Sequence, residues 1–487
     1  MRYDSVIIGS GVSGLTAALL LAQNGHKVAI IEKCAHLAPL LSRFKRGNVW
    51  CDPGLHYTGG LEESGTLSVI FRYLKMRDNI RSIDMKGDCF DKLFISDREI
   101  PLPCGFDGVE RSLTDSYPKS ARAVSGYISK IKTIRDSTPF VNFNLSFNDF
   151  KIGPDSEISL YDFLDSLGAE EELKSILSQY GEFLYGVSGK EIPFFVHALI
   201  MGFFYNSPQT VASGGDEVVN AFRKRLSDEN VDIFLNSAAK KIEVDKDNKL
   251  RALTLSDGNT IETTDCIFTP HPHLLPDIAP SKGFKPAYLR RIKEMENTPG
   301  PFTVYLELDE IPEKISHTNL YKLSNEKIAS NRDGAFAVMS CDPEIYDGKR
   351  KGLCIMQLNK NRLAETLSMD NNYRSSHYKE YKEIETSSII DRLLAFLPEI
   401  DGKFKVVSSA SPLTYESYTG TSSGAAYGLK QSVNQIKLEA RTSIAGLYLA
   451  GQSILMPGLM GASISGVISA ANILGMDELW GGLQKCR

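Results

Sequence analysis

The chain contains no uninterrupted apolar run of the roughly 18 residues that a membrane-spanning helix requires, so no such helix is expected. It also lacks an excess of either charge. Its 55 Lys and Arg against 60 Asp and Glu leave a net charge of −5, which gives no electrostatic reason to expect nucleic acid. Eight cysteines (Cys34, Cys51, Cys89, Cys104, Cys266, Cys341, Cys354, Cys486) are scattered without a C-x-x-C pair, and eight histidines show no H-E-x-x-H or comparable spacing. A metal is not indicated. The first strand pattern begins at Tyr3, before any room for an export signal, so the expected location is the cytoplasm and the thiols are expected reduced. What remains is the composition of an ordinary globular protein, 42% hydrophobic and 24% charged, long enough at 487 residues for two large interleaved domains or three average ones.

What is present is organised around residues 3–32. Val6-Ile7-Ile8 is a short β-branched run that suits a buried parallel strand. It leads straight into Gly9-Ser10-Gly11-Val12-Ser13-Gly14, a G-x-G-x-x-G. A small-residue helix from Val12 to about Asn24 follows, with Gly25 as its stop, then a second strand, Val28-Ala29-Ile30-Ile31, closed by Glu32. Gly9 permits the tight turn, Gly11 lets a pyrophosphate approach the backbone, and Gly14 lets the helix pack against the sheet. The helix N-terminus offers unpaired N–H groups to phosphate oxygens. Glu32 falls 18 residues after Gly14, where an acid accepts both hydroxyls of an adenosine ribose. Strand, glycine turn, helix and acid together predict binding of FAD or NAD rather than NADP.

Further along, Asn48 to Cys51 predicts a short strand that feeds a glycine-rich loop, Asp52-Pro-Gly54-Leu-His56-Tyr57-Thr-Gly59-Gly60. That loop is either a tight turn around a packed aromatic or a backbone approach to a flat ligand, with His56 and Tyr57 as its polar tips. Residues 65–135 mix helical patterns with polar turns, and 159–185 read as helical with a stop at Gly168. The most apolar stretch, 192–205, carries Phe194, Phe195, Phe203 and Phe204; it is a core helix, the wall of a greasy cavity or an element that dips into a membrane surface. A helix is expected from Glu217 to Leu226. Short strands joined by Asp-Asn and Asp-Gly turns from Val231 to Thr263 predict a β-meander, and Cys266 to Thr269 an apolar strand that rejoins the first sheet. Phe302 to Leu308, Ala335 to Met339 and Leu353 to Leu358 predict a second, antiparallel sheet, followed by a polar helix at 372–397 whose charges form a solvated face. Tyr415 to Gly428 reads as a long polar loop. Gly446-Leu-Tyr-Leu-Ala-Gly451 is a buried strand, 452–461 a loop and Ala462 to Leu474 a close-packing helix, which repeats the logic of the N-terminus.

With both ends in view, the chain resembles the flavin amine oxidase-like superfamily, and within it the phytoene desaturase, carotenoid isomerase and retinol saturase group. The landmarks are the fingerprint with Glu32, Asp52-x-Gly54-x-His56-Tyr57-x-Gly59, Gly214-Gly215 before a helix, the meander ending near Pro270, and Gly446 to Gly451 with Pro457-Gly458 and Ser465-Gly466. The resemblance implies an α/β fold with a Rossmann-like, glutathione reductase-type FAD-binding domain and a second, substrate domain of antiparallel sheet plus helices. The first is expected from 1–70, 206–275 and 408–487, and the second from 71–205 and 276–407.

The resemblance further implies FAD held by Gly9, Ser10, Gly11, Ser13, Gly14, Glu32 and Lys33, with Ala239 near the adenine. Gly451, Gly461 and Ala462 would lie at the pyrophosphate and the isoalloxazine, and Gly54, His56 and Tyr427 near the ring. Family members place two glycines and an arginine shortly after the acid; here His36 to Arg43 holds no glycine, and only Ser42 and Arg43 match. Phe194, Phe195, Phe203 and Tyr427 are the expected substrate contacts, and His56 and Tyr57 the candidate catalytic groups. The implied activity is hydride exchange between flavin N5 and a carbon of a lipophilic isoprenoid or polyene, for saturation or desaturation. The absence of a second dinucleotide fingerprint points to a separate electron donor or acceptor, and a lipid substrate to contact with a membrane surface. Three alternatives stand beside it: redox-neutral isomerisation of a carotenoid or polyunsaturated fatty acid; amine oxidation with an aromatic cage from Tyr415, Tyr418 and Tyr427; and non-catalytic prenyl binding as in GDP-dissociation inhibitors.

Overall fold

The computed structural model describes residues 1–85, 88–148, 150, 153, 157–280, 282–316, 318–324, 334–341, 352–359 and 375–487. Its organising sheet has five parallel strands, in spatial order Leu447–Leu449, Asp265–Phe268, Ser5–Ile8, Val28–Ile31 and Asp232–Phe234. Ser5–Ile8 and Val28–Ile31 are buried at every position, which is why their sequences are continuous apolar runs rather than alternating ones. The chain leaves this sheet and returns to it from far away. The carboxyl ends of its strands therefore gather Gly9, Glu32, Thr269 and Gly451 on one edge, the place where open α/β sheets bind ligands.

Two helices pack against one another beside this sheet. Val12–Gln23 and Gly458–Leu474 approach so closely that a Cβ on Gly466 would stand 2.5 Å from the Ser13 carbonyl oxygen, and Ser13 Oγ donates to the Ala462 carbonyl at 2.8 Å. The second helix begins four residues before its expected start, since Gly458 follows the Pro457 N-cap. A three-stranded antiparallel meander, Ala239–Val244, Leu250–Leu255 and Thr260–Glu262, forms as expected. The strand at 232–234 does not belong to it; it is the edge of the parallel sheet.

The second large sheet has seven strands in the order Phe404–Ala410, Gly300–Leu308, Gly352–Asn359, Phe336–Cys341, Asn319–Lys322, Asp91–Ile95 and Arg98–Leu102. It is antiparallel except where Asn319–Lys322 runs parallel to Asp91–Ile95. Strands 91–95 and 98–102 lie in a region that reads as helices and turns in sequence, because a five-residue hairpin arm carries too few residues for its alternation to stand out. The helix Ser376–Phe396 covers one face through Ile389 and Leu393; most of its charges face solvent, but Glu385 is buried. Positions 372–374 of the expected helix lie outside the described residues. Tyr415 to Gly428 is not a long loop: Pro412–Thr419 is a helix with a Ser411/Thr414 capping box.

Residues 159–185 form two helices, Leu160–Ser166 and Glu171–Tyr185, parted at Gly168. Phe194–Asn206 is a helix buried nearly all round, as the core reading of its sequence expects, with Phe195 and Phe204 half-buried. Among the described residues no helix is long and apolar enough to cross a membrane.

Candidate active site

At the glycine turn the geometry matches its sequence. Gly9 sits at φ +92°, where a Cβ would also strike Thr269 Oγ1 at 2.5 Å, and a Cβ on Gly14 would stand 2.3 Å from the Gly9 carbonyl oxygen. Gly11, by contrast, has nothing within 4 Å of where a Cβ would be, so its backbone faces open space. It caps the Val12–Gln23 helix without any side-chain hydrogen bond, which leaves the first N–H groups for a ligand. Ser10 N and Oγ both donate to Glu32 Oε2, at 2.8 and 2.6 Å, and Cys34 N donates to Oε1 at 2.8 Å. The Ser237 N–H bonds the Glu32 carbonyl, which brings the start of the meander and Ala239 beside the acid. Lys33 Nζ reaches the Ser417 carbonyl at 3.5 Å.

Ser42 and Arg43 are bound within the protein. Ser42 Oγ donates to the Leu37 carbonyl at 2.7 Å, while Arg43 N and Nε reach the Asp216 carboxylate at 2.9 and 3.3 Å and its guanidinium lies over Trp50. At the other end of the chain, Gly451 N donates to Ser465 Oγ at 2.9 Å, and Gly461 and Ala462 form the first turns of the Gly458–Leu474 helix.

The 52–60 loop carries two buried titratable groups. Burial pushes the Asp52 carboxyl up to about 6 against the pull of Arg43, and its Oδ1 has no hydrogen-bond partner. His56 is held neutral by burial; its Nδ1 is unpartnered and its Nε2 lies 4.0 Å from Cys354 Sγ. Tyr57, whose ring tilts against Phe204, donates its hydroxyl to Asp91 Oδ2 at 2.7 Å and lies 2.8 Å from the Tyr321 hydroxyl. Tyr180 donates to the same Oδ2 at 2.5 Å, and Asn319 Nδ2 to Oδ1 at 2.8 Å. Burial raises Asp91 to about 7, although all three of these donors pull it down.

The substrate candidates divide. Phe194 is fully buried and stacked on Phe163 at 3.7 Å, and Phe203 is buried; Phe195 is half-buried. Tyr427 is half-buried too, with its N–H on Thr298 Oγ1 at 3.0 Å and its hydroxyl on the Phe183 carbonyl. The three cage candidates are spread apart in environment: Tyr415 is buried with its hydroxyl at Thr303 Oγ1 and the Pro53 carbonyl, and Tyr418 is 54% exposed.

Residues 12–474 match the family described as "Flavin containing amine oxidoreductase". The chain belongs to this family.

Relatives of this flavin-containing amine oxidoreductase include the human all-trans-retinol 13,14-reductase, 22% identical with 97% of this chain and 86% of the relative covered. A 4,4'-diapophytoene desaturase (4,4'-diaponeurosporene-forming) of Staphylococcus haemolyticus is 23% identical with 70% of each covered. Among solved structures, a putrescine oxidase bound to putrescine superposes with a TM-score of 0.68 at 14% identity, covering 97% of this chain and 99% of that one, a likeness of fold. The chain is thus an FAD-dependent oxidoreductase, which sets aside the non-catalytic prenyl-binding reading. Its residues fit the cofactor: open backbone at Gly11, an uncapped helix start at each end of the chain, and a fixed carboxylate at Glu32. Asp91, Tyr180, Asn319 and Tyr321 escaped the reading of the sequence, since nothing in their separate neighbourhoods marks them as partners.

Proposed function

We propose that this flavoenzyme adds hydrogen to, or removes it from, a carbon–carbon double bond of a lipophilic isoprenoid or polyene. The observation that carries the reading is similarity, over 97% of the chain and 86% of the relative, to a protein named as a reductase of all-trans-retinol. Two features support it: the aromatic surroundings of the His56–Tyr57 loop, and the exposure of Tyr418, which leaves a cage of Tyr415, Tyr418 and Tyr427 without one wall.

In this reading the segments 1–70, 206–275 and 408–487 form the FAD-binding domain, and 71–205 and 276–407 the substrate domain. Gly9, Ser10, Gly11, Ser13 and Gly14 receive the pyrophosphate at the helix start, and Glu32, Lys33 and Ala239 the adenosine. Gly54, His56, Gly451, Gly461 and Ala462 lie toward the ring system. Arg43 and Ser42 serve by bracing the loop rather than by contact. Phe195 and Tyr427 line the substrate's path, while Phe194 and Phe203 shape the core behind them. When bound, FAD supplies two-electron hydride chemistry. The chain's share is to orient a greasy substrate, exclude water and manage a proton at Tyr57.

Anaerobic incubation of the oxidised and of the reduced enzyme with a panel of polyenes and unsaturated fatty acids tests this. Product mass should show the gain or loss of two hydrogens, with a matching change in the flavin spectrum. A product of unchanged mass would make the enzyme an isomerase. Peroxide release with amines, and none of these changes with polyenes, would overturn the reading.

A further inference from the structure

Among the described residues Asp91 has no cation paired with it. The groups that face it are neutral: Tyr57 from the 52–60 loop, Tyr180 from Glu171–Tyr185, Asn319 and Tyr321 from Asn319–Lys322, and Tyr205, Cys89 and Cys104 around them. The adjacent Lys92 is paired at 2.7 Å with Glu99 on the next strand. An ionised carboxylate in such a place is held only by its three hydrogen bonds, and burial without a counter-charge favours the protonated form.

The count of hydrogens gives the consequence. When Asp91 is ionised, Tyr57 and Tyr180 both spend their O–H on Oδ2. When Asp91 is protonated, its own O–H needs an acceptor, and the two phenol oxygens stand against Oδ2. One hydroxyl must then turn its hydrogen elsewhere. Among the described residues Tyr180 has no second oxygen partner, whereas Tyr57 also touches the Tyr321 hydroxyl at 2.8 Å. Tyr57 is the hydroxyl that can turn.

We propose that Asp91 is the proton store of the active site, which releases the Tyr57 hydroxyl as proton donor to the substrate when protonated and locks it when ionised. The proposal rests on the double-bond reading above. In the saturating direction the Tyr57 O–H breaks as a C–H bond forms at one alkene carbon. The other carbon receives a hydride, with both electrons, from the reduced flavin. The phenolate recovers a proton from the Asp91 carboxyl, which is left ionised and reloads from solvent. Desaturation runs the same path backwards. Asp91 is thus a positioning residue, and Tyr57 the group that touches substrate.

Infrared titration of the cofactor-free protein tests the store without any turnover. The difference between wild type and Asp91→Asn should contain a protonated-carboxyl C=O band that fades as pH rises through about 7, the Asp52 band near 6 cancelling between the two. Tyr180→Phe removes one donor from the ionised form, so it should move the midpoint upward. In the loaded enzyme, single-turnover saturation should fall about tenfold per pH unit above the same midpoint. Asp91→Asn should flatten that profile, Tyr180→Phe should shift it upward, and Tyr57→Phe should lose on the order of 10²-fold or more. A carboxyl band that titrates near 4, or an Asp91→Asn enzyme with the wild-type profile, overturns the proposal. If polyenes are reduced but no band appears near neutrality, the store fails while the double-bond reading stands. If the band titrates near 7 and no polyene reacts, the double-bond reading fails and the donor role of Tyr57 toward an alkene falls with it.

Discussion

Glu32 and Asp91 are both buried carboxyls that accept three hydrogen bonds, yet they are built on opposite plans. Glu32 draws its partners from 2 and 22 positions away, and two of its three donors are backbone N–H groups. Asp91 draws its partners from 34, 89 and 228 positions away, and every donor is a side chain. Backbone donors cannot turn, so the Glu32 carboxylate is held in one position, as the proposed grip on the cofactor requires. Hydroxyl donors rotate about a single bond, so the Asp91 end responds when a proton arrives. The two carboxyls therefore differ in kind: one is fixed by backbone and the other sits in a reorientable cluster, which suits the cofactor grip and the proton handling proposed above.

The sharpest way to break the comparison is to attack the rigid end through its backbone. Gly14→Val would force a branched side chain against the Gly9 carbonyl oxygen, 2.3 Å from the Cβ, and Ile7 Cγ2 at 3.0 Å. Overpacking costs about 1–3 kcal/mol where neighbours can move and more where the obstacle is backbone, out of a total stability of about 5–15 kcal/mol. The expected outcome is a large fall in the urea midpoint and a colourless preparation. Gly11→Ala meets nothing within 4 Å and should leave the midpoint within about 0.5 kcal/mol while weakening FAD binding, measured by fluorescence titration. If the two variants behaved alike, the turn would be generic packing and not a cradle.

The same contrast explains what the sequence alone disclosed. The strand, turn, helix and acid from Ser5 to Glu32 form one local unit whose steric demands are written in consecutive residues, so its elements and the place of Glu32 could be read directly. The edge strand at 232–234 could not be assigned to its sheet, because three residues of alternating pattern suit a meander and a parallel edge equally well. Nor could Asp91 be found. A lone acid at the head of a short strand looks like any surface turn until Tyr57, Tyr180 and Asn319 converge on it from three other segments. Phe194 and Phe203 show the limit of an apolar run: it tells that side chains are buried, but not whether they face ligand or one another.

A weaker perturbation sharpens the responsive end. Asp91 has its ordinary pKa of 3.8 in the unfolded chain and about 7 in the fold, so the native state binds more protons between those values. Its contribution to stability is therefore present at low pH, declines as pH rises from about 4 to about 7, and is level above that. Asp91→Asn removes the dependence. Paired urea melts should find the stability advantage of wild type over Asp91→Asn smaller at pH 8 than at pH 5. Asp52, raised to about 6, changes in the same sense in both proteins and cancels from the difference. A difference that grows with pH would place Asp91 in the company of ordinary ion-paired carboxylates and end the contrast with Glu32.

The smallest expected effect concerns a single long-range hydrogen bond at the rigid end. Ser13 Oγ donates to the Ala462 carbonyl across 449 positions and ties the start of Val12–Gln23 to that of Gly458–Leu474. The same pair of helices is already held by backbone-close packing, where Gly466 leaves no room for a methyl group between itself and Ser13. Ser13→Ala should therefore cost about 1 kcal/mol, the worth of a single neutral hydrogen bond, and should change FAD affinity less than Gly11→Ala does. A loss above about 3 kcal/mol, more than such a bond carries, would mean that side-chain bonds rather than sterics join the two helix starts. The cofactor end would then share the plan of the Asp91 cluster.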